Sequence, residues 1–168
     1  ARRQRALLLL DIQPGLADFM GEVRALRRWL EEPDVGLALD PEWRVEPGQV
    51  PGQVLGSTDA ATINAISAYL SRIVRGRDLP QKLLVVHRFT HDMIRDEERL
   101  ERHPGVALTI NVDGFGDRPI KIAKYREFTR SRRRRPNGFK LFYEEDTNLM
   151  SPRQVLRMRP PPDLVVYE

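Results

Sequence analysis

Six short apolar runs alternate with five helical stripes, and this alternation limits what the chain can fold into more than any other feature. The runs occupy residues 6–12, 35–39, 83–87, 106–112, 139–143 and 164–167. Each is rich in Leu, Val, Ile or Phe and has the length of a strand. Between them the apolar period lengthens. Over 16–31, Leu16, Phe19, Met20, Val23, Leu26 and Leu30 fall on one helical stripe. Over 59–75, Ile63, Ile66, Leu70, Ile73 and Val74 do the same, with Ser57 and Thr58 as candidate caps. Weaker helical patterns cover 91–102 and 118–130, and "SPRQVLRM" at 151–158 opens with Ser at the cap and Pro in the first turn. Strand and helix thus alternate from end to end, which requires a parallel sheet with right-handed crossovers. No linker composition interrupts the pattern, so residues 1–168 are expected to form one domain.

Strand parity bears on how the sheet is covered. In the second run Val35, Leu37 and Leu39 share a face opposite Gly36, Ala38, Asp40 and Glu42. In the fourth, Val106, Leu108, Ile110 and Val112 oppose Ala107, Thr109, Asn111 and Asp113. In the fifth, Phe139, Leu141 and Tyr143 oppose Lys140, Phe142 and Glu144. A sheet covered by helices on both sides is apolar on both. Here one face is bulky and the other small or polar, the pattern of a (β/α) barrel with its bulk toward the helices. An eight-stranded barrel of the TIM type needs about 200 residues or more. The expectation is therefore a parallel α/β barrel, TIM-like, lacking N-terminal βα units. The chain begins at Ala1 almost directly in an apolar run, in keeping with an N-terminal truncation. The alternative is an open six-stranded parallel α/β sheet.

In either architecture the carboxyl ends of the strands form one rim where ligands bind. These ends are polar: "LDIQPG", "LDPEW", "VHRFT", "NVDGFG", "YEEDTN" and "VYE". The set facing the axis is Asp11, Gln13, Asp40, Glu42, His87, Asn111, Asp113, Lys140 and Glu144. A single acid at a strand end commonly caps the next helix, but several acids near one axis are costly unless they are paired, bind a metal or catalyse. Acids beside an aromatic suit glycoside hydrolysis, which uses one acid and one base or nucleophile. On this reading Asp113 and Glu144 are the catalytic pair. Asp11, Gln13, Asp40, Glu42, His87, Asn111 and Lys140 hold the substrate, and Trp43 stacks on a sugar ring. The loop 43–57, rich in Pro and Gly, would fold over the rim.

Other chemistries leave weaker marks. A Mg²⁺- or Ca²⁺-dependent hydrolase would use the same acids, whereas one rim histidine is thin for zinc. Cysteine is absent, which excludes disulfides and thiolate ligands. No phosphate loop or serine elbow is present, and no cofactor is implied. A non-catalytic carbohydrate-binding barrel remains the second functional class. Net charge is +4, yet five arginines crowd into 130–136 with no interleaved aromatics, so a nucleic-acid partner is not expected. No apolar run approaches a membrane span.

The runs "LLLLDIQPG", "VGLALDPEW", "PGQVPGQVLG", "LPQKLLVVHRFT", "TINVDGFG", "GFKLFYEEDTNLMSP" and "PDLVVYE" together resemble an uncharacterised family of bacterial proteins, often exported or lipoprotein-like. The resemblance covers nearly the whole chain. It implies a TIM-barrel, glycosidase-like fold and an extracytoplasmic location, and supplies no reaction.

Overall fold

A computed structural model describes residues 1–130 and 135–168. Ser131, Arg132, Arg133 and Arg134, most of the arginine run, lie outside the described residues. Six strands form one sheet: β1 (Leu8–Ile12), β2 (Val35–Leu39), β4 (Lys82–Arg88), β6 (Val106–Val112), β7 (Asn137–Leu141) and β8 (Leu164–Tyr167). All pairings are parallel, and the order across the sheet is the order along the chain. The short strands β3 (Thr58–Asp59) and β5 (Ile94–Arg95) pair only with each other, tying the loops after β2 and β4 together. The helices are α1 (Phe19–Ala25), α2 (Arg27–Leu30), α3 (Ala60–Arg77), α4 (Arg118–Thr129) and α5 (Pro152–Leu156).

The sheet is open and curled, a half-barrel rather than a closed TIM barrel. This corrects the first expectation in favour of its alternative. Parity reports which side faces the helices; it carries no information on whether the end strands meet. Right-handed crossovers that always step in the same direction put every helix on one side. Leu37, Leu39, Leu84, Val86, Leu108 and Ile110 pack there against Phe19, Val23, Ile63, Ile66 and Leu70. A second cluster joins Val112, Phe139 and Leu141 to Tyr125, Val155 and Met158. The register lines Asp11, Ala38, Val85, Thr109, Asn111, Gly138 and Lys140 along the opposite, concave face.

Three local expectations change. The stripe at 16–31 is split into α1 and α2 by Leu26, which leaves helical geometry. The pattern at 91–102 is not a helix. Met93, Ile94 and Leu100 are buried, but by β5 and a 3₁₀ turn at Glu97–Arg99. Helix α3 is capped by Asp59, whose carboxylate accepts from Thr62 N at 2.8 Å, rather than by Ser57 or Thr58. At α5 the expected cap is present as a capping box between Ser151 and Gln154.

Candidate active site

The carboxyl ends of β4 and β6 set His87 beside Asn111 in register, and Asp113 follows one residue past β6. His87 is 4% exposed and lies between two carboxylates. Its Nδ1 is 2.9 Å from Asp113 Oδ2, and its Nε2 is 3.3 Å from Asp11 Oδ2. The Nε2 approach is close enough for ionic attraction but not aligned as a hydrogen bond, and that nitrogen has no other partner. Burial opposes a charge on the ring; the Asp11 and Asp113 carboxylates outweigh it and push the pKa up to about 9. The two carboxylates thus favour the imidazolium at neutral pH, while the Asn111 side-chain amide lies 3.0 Å from the same Nδ1.

Lys140 adds a second cation. Its Nζ sits 3.3 Å from Asp113 Oδ2, 2.7 Å from Glu168 Oε2 and 4.8 Å above the Phe142 ring. Burial works against the ammonium, and Asp113 with Glu168 more than offsets it, so the pKa is raised. Asp113 also accepts from Gly114 N at 2.6 Å. Its own burial favours the neutral acid, but His87 and Lys140 hold it below the usual carboxylate range. The cations therefore serve Asp113.

Asp40 and Glu42 are driven the other way. Asp40 is buried at the end of β2, where it caps the 3₁₀ turn Pro41–Trp43 by accepting from Glu42 N at 3.3 Å. Gln13 Nε2 donates to its other oxygen at 3.4 Å. Burial raises the Asp40 pKa; His87 opposes, while Asp11 and Asp113 add to the rise. Glu42, half-buried, is raised by burial and then by Asp40 and Asp113, against Lys140. One rim thus holds a carboxylate kept ionised and two carboxyls biased toward the protonated form.

The long loop is tied down at its base. Val45 is buried and its N–H donates to Gly15 O at 3.0 Å; Gly56 N donates to Glu42 O at 2.7 Å. A Cβ at Gly56 would overlap the carbonyl oxygens of Arg44 and Pro41, so the loop closes there only with glycine. The Trp43 ring lies against Gly52, within its own loop. Exposed aromatics stand elsewhere on the rim. Phe115 packs edge-on to Phe142 with centroids 6.1 Å apart, and Tyr143 stacks on Tyr167 at 5.5 Å.

Asp11, Gln13, Asp40, Glu42, His87, Asn111, Asp113 and Lys140 are therefore gathered at one rim. Glu144 is exposed in the turn after β7. That strand stops at Leu141, and Asp146 folds the chain back by accepting from Phe142 N at 3.0 Å, so strand parity does not reach Glu144. Two participants escaped the sequence reading. Glu168 continues the parity of Val166, which lies beside Lys140, and could have been found by extending β8 one residue. Gly138 has to be a glycine because a Cβ there would overlap the Asn111 amide oxygen, a constraint only the register reveals. Nearby, Lys121 pairs with Asp146 at 2.9 Å, both buried, and Nζ also donates to Gly114 O at 2.8 Å. This pair joins the loops that carry Asp113 and Tyr143.

Among the described residues no group of three or more His, Asp or Glu side chains is arranged to hold a metal ion, and no helix is long and apolar enough to cross a membrane. The chain matches no protein-family model, no curated protein and no solved structure, so its reading rests on the geometry above.

Proposed function

We propose that this protein is a hydrolase acting on a carbohydrate or glycan. The opposed biasing of carboxyl groups on one rim carries the reading: Asp113 is held ionised by His87 and Lys140, while burial favours the protonated form of Glu42. Glycoside hydrolysis needs that division, a proton donor for the leaving oxygen and an ionised partner for the developing oxocarbenium ion. Asp113 is the nucleophile or charge stabiliser. Glu42, less buried than Asp40, is the proton donor in place of Glu144. Asp40, Gln13 and Asp11 orient the sugar, and exposed Phe115 and Tyr143 offer it flat apolar faces.

The test is turnover of a panel of aryl glycosides. Glu42→Gln should lower kcat by about 10²–10⁴-fold on poor leaving groups. It should leave dinitrophenyl glycosides, which need no proton, largely unaffected. Asp113→Asn should abolish both. Saturable glycan binding without product would replace catalysis with a binding role, and equal losses on both leaving groups in Glu42→Gln would remove Glu42 as the acid.

A further inference from the structure

Away from the rim, α4 and α5 enclose a cleft of about 280 Å³ on the helical side of the sheet. Its apolar lining is Ile122, Tyr125, Met150 and Met158. Its charged lining is Arg118, Arg126, Arg157 and Arg159, and no carboxylate lines it. Among the described residues Arg126, Arg157 and Arg159 form no ion pair. Arg118 donates from Nε to Asn148 O at 3.1 Å and lies beside Asp117. Tyr125 is wholly buried, and its hydroxyl has no hydrogen-bond partner.

Arg159 donates to Arg157 O at 3.3 Å and Met158 O at 3.0 Å, but four guanidinium groups around one cleft repel each other and no carboxylate in the lining neutralises them. An anion does so, and Arg matches a carboxylate with paired donors. The apolar lining between the arginines calls for a ligand with an apolar body behind its charge. The volume falls just under the usual range of about 300–1,000 Å³ for drug-sized ligands, so the body is small.

We propose that the cleft between α4 and α5 binds a small carboxylate with an apolar body. The site is separate from the carboxyl rim and does not depend on the hydrolase reading.

Calorimetric titration of the whole chain with octanoate, octan-1-ol and acetate tests it. Octanoate should saturate one site, octanol should bind at least about tenfold more weakly, and acetate should not saturate, because charge and apolar body both contribute. Gln154→Glu places a carboxylate in the lining. Glu closes the same capping box with Ser151 as Gln does, so the thermal midpoint should hold while octanoate affinity falls at least about tenfold. The exposed pair Arg126→Ala with Arg157→Ala should produce a comparable loss. No saturation by octanoate, octanol binding as tightly as octanoate, or unchanged affinity in either variant would each overturn the proposal.

Discussion

Raising the pH should uncouple His87 from its two carboxylates, at a cost that can be worked from the site. The ring moves from 6.5 free in solution to about 9 in the fold. At about 1.4 kcal/mol per pH unit, the full linkage is on the order of 3 kcal/mol. Asp11 is 40% exposed, and water screens its share, leaving about 2–3 kcal/mol. Because the folded pKa lies above the unfolded one, this stabilisation is complete below pH 6.5 and is lost as pH rises through about 9. Asp113, held low, and Lys140, held high, both stay charged across that window. Urea unfolding of wild type and His87→Gln from pH 6 to 10 isolates the effect, since titrations away from the rim are common to both. The stability gap should narrow by about 2–3 kcal/mol between pH 6.5 and 9. In parallel, the histidine resonance missing from His87→Gln should titrate in wild type near 9. Parallel stability curves, or a midpoint for that resonance near 6.5, would refute the imidazolium and with it the ionised state assigned to Asp113.

Three further outcomes follow from the same geometry. Gly138→Ala forces a Cβ into the Asn111 amide and should cost about 1–3 kcal/mol in denaturant unfolding, with the His87 resonance displaced. Asp146→Ala strands the buried Lys121 ammonium and should destabilise by about 3–5 kcal/mol, read as a lowered urea midpoint. If the rim hydrolyses glycosides, kcat/KM should follow a bell-shaped pH profile. Its acid limb, set by Asp113, should lie below the ordinary carboxylate range, and its alkaline limb, set by Glu42, above it. Glu42→Gln should erase the alkaline limb alone.

Periodicity was enough to find all six strands of the sheet, three of them by a two-residue alternation and three as short continuous apolar runs. The same alternation picked out Asp11, Asp40, His87, Asn111, Asp113 and Lys140, whose backbones lie in strands or one residue past them. It lost authority where strands stopped. Glu42 sits in a 3₁₀ turn that Asp40 caps, and Glu144 lies beyond the fold-back at Asp146. Their places depend on side-chain to backbone bonds rather than on a period. The apolar residues at 93–100 misled for a related reason: Met93, Ile94 and Leu100 have helical spacing but are buried by pairing with the loop from β2. Closure of the barrel was not legible at all, because a strand in an open sheet and one in a ring can carry the same alternation. The arginine cleft was also hidden, since its four cations come from α4 and from the segment around α5, about forty residues apart at the ends, and only packing unites them.

The agreement between strand order and chain order has a kinetic consequence. During synthesis every new strand finds its hydrogen-bonding neighbour already made, one crossover behind it, and waits for nothing downstream. No pairing in the sheet spans more than one βα unit, which keeps loop-closure costs low for a parallel topology. The growing domain can therefore extend stepwise from its first strand, with one advancing edge at a time, and a pause between units should leave a shorter sheet of the same kind rather than a tangle of unmatched strands.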